Sequence, residues 1–333
     1  MNLCFLATQW GRLCGEALHS LSGLATPYDQ LEMSVERNRS SFDRWIEKAG
    51  WLDKPADVVQ NWVLKFYEVL GGPGATLKSL MHGTKPVGHP LHPALTDIPL
   101  GAFTVMVLAD WLAVFSRAIP SEIGPFSLIV GILGMLAAAA TGYTDYTGTV
   151  GKERRYASVH GATMSLLLVA MIISLLLRYG HSGGLFFTGV LVSTVAYLVM
   201  LWGAYLGGHL SFGFGTMVNR NAFLEGVTEW TEVGPLKKFE EGKPIRVQAG
   251  DMPVMLVRLG SRVHAISAVC AHAGGPLDEG TLEGNSITCP WHGSRFCVLD
   301  GQVENGPATF SQPAYLVREQ DGKVEIRLPA PLH

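Results

Sequence analysis

The sequence predicts an α-helical transmembrane four-helix bundle followed by a small all-β domain. Four long apolar stretches follow one another in the middle of the chain, and short strand-like segments fill its C-terminal part. Over 333 residues, charged residues make up only 16% and the mean hydropathy is +0.24. The net charge of −3, without a basic cluster or a base-stacking motif, gives no indication of a nucleic-acid partner.

The four apolar stretches are long enough for helices that cross a hydrocarbon core of about 30 Å. They lie at residues 98–115, 125–143, 157–177 and 183–206. A buried helix of a soluble protein could resemble one of them, but four in succession favour a membrane domain, predicted over residues 86–210 in the lipid bilayer. The only charge within them is Asp110, which we expect to hydrogen-bond inside the bundle or to carry protons.

The positions of lysine and arginine predict the orientation of the bundle. The side on which the first and third stretches end holds only Arg117 and Arg178. Six basic residues fall on the other side: Lys78, Lys85, Lys152, Arg154, Arg155 and Arg220. We therefore expect a multi-pass cell-membrane protein with both termini and the all-β domain in the cytoplasm.

Residues 1–85 are predicted to form a separate N-terminal region. The apolar patch in MNLCFLATQW is too short for a signal peptide and lacks a basic start, and Met33 is an alternative first residue. Residues 56–70 predict an amphipathic helix, which either packs on the bundle or lies at the membrane interface. Its apolar face consists of Val59, Trp62, Val63, Phe66 and Leu70.

A linker over residues 211–228 leads to the all-β domain, predicted over residues 229–330. PVMLVRL and RVHAIS are separated by a Gly-Ser turn, and YLVRE and KVEIRL flank a second hairpin turn at Asp321 and Gly322.

This domain contains two pairs of metal-ligand residues, Cys270-Ala-His272 and Cys289-Pro-Trp-His292, with sixteen residues between them. Two thiolates and two imidazoles suit a structural zinc site. They also suit a Rieske [2Fe–2S] cluster, in which two cysteines hold one iron and two histidines hold the other. Of the remaining cysteines, Cys4 and Cys14 have no evident partner, and Cys297 is expected to be a small buried hydrophobe.

The residues around these pairs resemble the Rieske family over residues 229–329. VCAHAGGPLDEG and TCPWHGSRFCVLDGQV resemble its two cluster-binding loops, and NGPATFSQPAYLVREQDGKVEIRL resembles its closing segment. The resemblance implies a small all-β Rieske domain with one [2Fe–2S] cluster. Cys270 and Cys289 would bind one iron, and His272 and His292 the other, facing solvent or a partner. The residues expected to surround the cluster are Gly275, Gly293, Ser294 and Pro307.

The loops depart from those of high-potential Rieske proteins, which carry an additional disulfide and a tyrosine near the cluster. Gly275 and Trp291 stand at the disulfide positions, and Phe296 stands in place of the tyrosine. Fewer donors to the sulfurs stabilise the reduced cluster less. We therefore expect a potential in the lower part of the Rieske range of about −150 to +300 mV. This resembles the ferredoxins that feed oxygenases, while a catalytic oxygenase subunit, a dinucleotide site and a flavin site are not expected.

The predicted topology collects ionisable residues at the cytoplasmic end of the bundle. They are His89, His92 and Asp97 in GHPLHPALTD, Asp145, His160 and His209. Such groups by default mark a functional site, although they equally cap helix ends or hydrogen-bond across a bundle. His160 and His209, or His92 in place of one of them, could ligate a b-type haem. Alternatively, His89, His92 and Asp97 could hold a non-haem iron.

The segment from HGTKPVGHPLHPALTDIPLGA to the fourth stretch resembles an uncharacterised family of four-helix bacterial membrane proteins that share HPLHP and are often fused to a Rieske domain. We therefore expect a membrane-anchored electron-transfer protein, an oxidoreductase component. Its cluster would exchange single electrons with a soluble reductase or oxygenase, or with a redox centre or quinone at the membrane domain. The alternative is an iron or oxidant sensor, or a transporter, with the bundle as an anchor.

Overall fold

The computed structural model describes residues 40–116, 119–179 and 183–329. Cys4, Cys14 and Met33 lie outside the described residues. The chain forms two compact units, residues 1–50 and residues 51–333. In the first unit, helix α1 (Ser41–Lys48) begins with a capping box, in which the hydroxyl of Ser40 accepts from the amide of Asp43 and the carboxylate of Asp43 accepts from the amide of Ser40.

Two helices, α2 (Asp53–Val69) and α3 (Gly71–His82), open the second unit. Helix α2 contains the periodic segment expected at 56–70. On its inner side, the Gln60 amide donates to the carbonyls of Tyr146 (2.7 Å) and Thr149 (3.0 Å). On its outer side, Trp62 is 75% exposed and Phe66 56% exposed. This apolar face therefore points away from the protein, as a helix at the membrane interface requires.

Four long helices follow: α4 (Leu91–Ser116), α5 (Ile123–Tyr146), α6 (Gly151–Arg178) and α7 (Gly184–His209). Each is long and apolar enough to cross a membrane. The side chains of Phe103, Met106, Leu128 and Met171 are fully buried between them. The outward faces carry large exposed apolar side chains, such as Leu133, Leu166 and Leu198. An apolar outer surface of this kind suits lipid, so the structure supports the predicted four-helix transmembrane bundle.

A buried ion pair lies within the bundle. Arg178 in the last turn of α6 donates to Asp110 in α4, with Nη1 2.9 Å from Oδ1, and also donates to the hydroxyl of Ser193 in α7. Asp110 and Arg178 are each 4% exposed. The prediction that Asp110 hydrogen-bonds inside the bundle is confirmed, and the interaction joins three of the four helices.

The C-terminal part is all-β, as the strand patterns predict. A six-stranded antiparallel sheet has the order β1-β10-β9-β4-β3-β2, and a four-stranded antiparallel sheet has the order β5-β6-β7-β8. The strands are β1 (Thr231–Pro235), β2 (Ile245–Ala249), β3 (Met252–Leu259), β4 (Arg262–Ser267), β5 (Thr281–Glu283), β6 (Ser286–Thr288), β7 (Arg295–Cys297), β8 (Val303–Asn305), β9 (Ala314–Gln320) and β10 (Lys323–Arg327). The two expected hairpins are β3–β4 and β9–β10.

The β domain packs against one end of the bundle, at which α4 and α6 begin and α5 and α7 end; we call this the docked end. The hydroxyl of Thr84, which follows α3, donates to the carbonyl of Ala308 over 2.9 Å. The amide of Arg220 in the connecting segment donates to the carbonyl of Ala271 over 3.1 Å. The side chain of Asn221 donates to the Val269 carbonyl over 3.0 Å. These hydrogen bonds fix the β domain on the bundle.

Candidate metal centre

The two ligand pairs lie on two short loops, each closed by its own backbone hydrogen bonds. In the loop after β4, Cys270 N–H donates to the Gly275 carbonyl over 2.9 Å. Gly274 N–H donates back to the Cys270 carbonyl, also over 2.9 Å. In the loop between β6 and β7, Cys289 N–H donates to the Ser294 carbonyl over 2.8 Å. Gly293 N–H donates back to the Cys289 carbonyl over 3.1 Å. The φ of Gly293 is +75°, a backbone conformation that favours glycine.

The two cysteine thiols meet at the buried base of the loops. Cys270 and Cys289 are buried among the apolar residues of the β domain and form no disulfide. A hydrogen bond from the Cys270 thiol lowers the pKa of Cys289. The same contact, together with burial, raises the pKa of Cys270. The pair therefore readily holds one negative charge, which a positively charged metal centre would stabilise.

The two histidines lie side by side at the outer edge of the loops. The ring centroids of His272 and His292 are 5.0 Å apart, with an interplanar angle of 83°. Burial, together with the nearby His292, His82 and Arg220, lowers the pKa of His272 to about 3. The imidazole is therefore neutral at physiological pH, which is the form that binds metals. Its Nδ1 atom is buried and has no hydrogen-bond partner among the described residues.

The surrounding residues pack closely around the two loops. A Cβ atom at Gly275 would lie 2.8 Å from Cys289 Sγ, so a side chain there would displace the sulfur. The fully buried Ser294 accepts a hydrogen bond from Ala308 N–H over 3.0 Å, which leaves its own O–H free to donate. Ala308 follows Pro307, so the proline loop adjoins the second ligand loop. Gly275, Gly293, Ser294 and Pro307 are thus all placed on the three segments that meet at this site.

These features fit a Rieske cluster better than a zinc ion. The two thiols pair with each other at the buried base of the loops, and the two imidazoles pair with each other at the outer edge. A tetrahedral zinc site gathers all four ligands around one ion. A Rieske cluster needs only two protein ligands for each iron. The paired sulfurs, the paired imidazoles and the unpartnered His272 Nδ1 meet that requirement.

Comparison with known proteins agrees with this fit. Residues 229–323 match the model of the Rieske [2Fe-2S] domain. The ferredoxin CarAc of Metapseudomonas resinovorans is 32% identical over 29% of this chain and 92% of its own length. The chain belongs to the Rieske family. The anthranilate 1,2-dioxygenase ferredoxin subunit of Burkholderia cepacia is 29% identical over 31% of this chain and 94% of its length.

One solved structure and a second family model also match the chain. The solved ferredoxin of carbazole 1,9a-dioxygenase from Nocardioides aromaticivorans IC177 is 30% identical, covers 31% of this chain and all of its own, and has a TM-score of 0.30. Residues 88–220 match a family described as predicted membrane protein (DUF2231). The chain thus combines a C-terminal Rieske domain, which carries out one-electron transfer, with the domain of a predicted membrane-protein family.

The structure brings together only some of the candidate histidines of the membrane domain. The rings of His92 and His160 are 6.4 Å apart, and their Nδ1 atoms donate to the carbonyls of Ala138 (2.8 Å) and Gly203 (2.9 Å). This orientation leaves each Nε2 as the potential ligand atom. His209 instead stacks on Tyr156, with ring centroids 4.7 Å apart. The ring that contacts His160 is therefore that of His92.

The other three candidates have different surroundings. His89 Nδ1 donates to the Pro90 carbonyl over 3.0 Å, and Asp97 is exposed in the first turns of α4. Since the described residues contain no group of three metal-binding side chains, they do not assemble the His89, His92 and Asp97 set. Asp145 pairs with His82, whose Nδ1 lies 2.7 Å from Asp145 Oδ1.

His82 is the residue that sequence reasoning missed. It ends α3 and is only 2% exposed at the docked end. In the sequence His82 stands at the start of HGTKPVGHPLHP. Unlike His89 and His92, it is not followed by a proline that would mark it.

Proposed function

We propose that this protein is a membrane-anchored electron carrier in which Cys270, His272, Cys289 and His292 hold one [2Fe–2S] cluster. The observation that carries the proposal is the pairing of two thiols and two imidazoles on facing loops, with His272 Nδ1 buried and unpartnered. When bound, such a cluster accepts and releases one electron at a time. The surrounding residues shape its site and tune its potential.

The chain's own residues divide this task. The buried side chains around the cysteines, including the fully buried Phe296, exclude water from the sulfur side. Burial keeps His272 neutral and able to bind iron. Ser294 has a hydroxyl hydrogen available for a sulfur, whereas Phe296 has none, which supports a potential in the lower part of the Rieske range.

We propose two electron partners for the cluster, one soluble and one at the membrane domain. One similar protein is named as the ferredoxin subunit of anthranilate 1,2-dioxygenase and another as a ferredoxin, which favours a soluble reductase or oxygenase as one partner. The histidine edge of the site faces the docked end, where a Cβ atom on Gly148 would lie 3.4 Å from His272 Cε1. This favours a redox centre or quinone at the membrane domain as the other partner.

Metal analysis and EPR of the purified full-length protein test the cluster. We expect two irons and two acid-labile sulfides per chain, and a Rieske-type EPR signal after reduction. Cys270→Ser should abolish the signal, because it removes one of only two ligands to an iron. Cys297→Ser is the matched control and should retain it, since Cys297 lies in β7 outside both loops. Bound zinc without iron, or a normal signal in Cys270→Ser, would contradict the ligand assignment.

An optical spectrum tests a haem in the membrane domain. The contact between His92 and His160, each with Nδ1 donating to a carbonyl, favours this pair as axial ligands. A Soret band that disappears in both His92→Ala and His160→Ala, at unchanged Rieske EPR, would support the pair. If the wild-type protein shows no Soret band, this pair is not a haem site and the electron partner is a quinone or a soluble protein.

A further inference from the structure

A buried pair of ionisable residues lies in the membrane domain where the Rieske domain docks. His82 ends α3, Asp145 lies in the last turn of α5, and their side chains are 2% and 7% exposed. His82 Nδ1–H donates to Asp145 Oδ1 over 2.7 Å. Among the described residues, His82 Nε2 and Asp145 Oδ2 have no hydrogen-bond partner. Buried polar atoms without a partner are rare and need an explanation.

The pair lies next to the cluster-binding loops. A Cβ atom on Gly148 would lie 3.7 Å from the Asp145 carbonyl oxygen and 3.4 Å from His272 Cε1, so the turn after α5 adjoins the His272 ring. A Cβ atom on Gly306, beside the proline loop, would lie 3.5 Å from His82 Cδ2. The pair therefore borders two of the three segments that surround the cluster site.

The docking contacts hold this arrangement in place. Thr84, two residues after His82, is fully buried and donates to Ala308 on the proline loop. Arg220 and Asn221 bond to the backbone on either side of Cys270. The loop that carries Cys270 and His272 is thus tied to the membrane domain at several points, which fixes the position of the buried pair relative to this loop.

We propose that Asp145 and His82 are positioning residues of the membrane domain that set the reduction potential of the Rieske cluster. The inference rests on the proposed function. Reduction adds one electron, and hence one negative charge, to the cluster. A carboxylate in the poorly solvated docked end opposes that charge more strongly than one in water. His82 fixes the position of this carboxylate through its Nδ1–H donor, as second-layer partners do at other metal centres.

A redox titration of the full-length protein, followed by the Rieske EPR signal, tests the proposal. Asp145→Asn removes the negative charge and should therefore raise the reduction potential by about 59 mV. This shift corresponds to a change of about tenfold in the equilibrium constant of the one-electron reduction. Asp145→Glu restores the charge and should return the potential toward the wild-type value. Asp251→Asn is the matched control, because it makes the same change in an exposed turn of the Rieske domain and should leave the potential unchanged.

The outcomes separate this inference from the proposed function. If the wild-type protein has no Rieske signal, the proposed function fails. If it has the signal and Asp145→Asn titrates at the wild-type potential, only the role of the pair is overturned. Should Asp145→Asn not assemble a cluster, His82→Gln replaces it, because it removes the imidazole that holds the carboxylate. A wild-type potential in His82→Gln would then contradict the proposal, and a shifted one would support it.

Discussion

Cys270 and Cys289 are held in place by their own loops, since the amide and the carbonyl of each are hydrogen-bonded within the loop. The sequence predicts these loops well because glycines at fixed offsets are needed for the turns. His82 could not be predicted in the same way. Its partner Asp145 is 63 residues away, and the two meet only because α3 packs against the end of α5. The positions of the candidate ligands therefore follow from local sequence, whereas the position of His82 beside them does not.

Tyr315 in β9 gives a prediction at the residue scale. Its hydroxyl is buried without a partner among the described residues, and burial raises its pKa to about 12. A folded-state pKa above the unfolded value of about 10 means that stability is retained below pH 10 and lost as the pH rises toward 12. Tyr315→Phe should lack this loss. At pH 7 it should equal or exceed the wild type, because an unpaired buried hydroxyl costs about 1–3 kcal/mol.

Chemical denaturation of the detergent-solubilised protein at pH 7 and pH 11 measures this effect. The difference in unfolding free energy between the two pH values should be smaller in Tyr315→Phe than in the wild type. Lower stability of the variant at pH 7 would mean that the hydroxyl has a stabilising partner.

At the scale of the elements, the apolar stretches predict that the helices exist but not where they end. Helix α4 begins at Leu91, seven residues before the predicted stretch at 98, and α6 begins at Gly151, six residues before 157. A hydropathy pattern identifies only the part of a helix that lies in the hydrocarbon core, whereas these helices continue into the polar region of the membrane. Pro90 and Pro93 allow the early start of α4, since the first turn of a helix tolerates proline. His92 consequently lies within a helix.

The ion pair between Asp110 and Arg178 gives a prediction at this scale, because it joins α4 to α6 and α7. Asp110→Ala leaves a buried guanidinium without its counter-charge, and breaking a buried pair in this way costs about 3–5 kcal/mol. The double variant Asp110→Leu/Arg178→Met removes both charges and should recover most of that loss. Thermal unfolding in lipid nanodiscs measures both variants. A double variant no more stable than Asp110→Ala would show that the pair has a role beyond mutual neutralisation.

At the scale of the whole molecule, the sequence predicts each domain but not their docking. The two domains are recognisable because one has apolar stretches and the other has a dense ligand motif. The docking depends on single contacts between distant residues, such as that of Thr84 with Ala308, which are 224 positions apart. No periodicity or motif encodes such a contact. The same packing places the cluster site beside the membrane domain.

The orientation in the membrane is the prediction that belongs to the whole molecule. The basic residues near the docked end include Lys78, Lys85 and Arg220, whereas Arg178 near the opposite end is buried against Asp110. The positive-inside rule therefore predicts that the docked end, the Rieske domain and the C-terminus lie in the cytoplasm. A fluorescent protein fused after residue 333 should fluoresce, and alkaline phosphatase fused there should be inactive. Alkaline phosphatase fused after Ser121, between α4 and α5, should be active. The opposite pattern of activities would show that the topology is inverted and that the cluster meets its partners outside the cytoplasm.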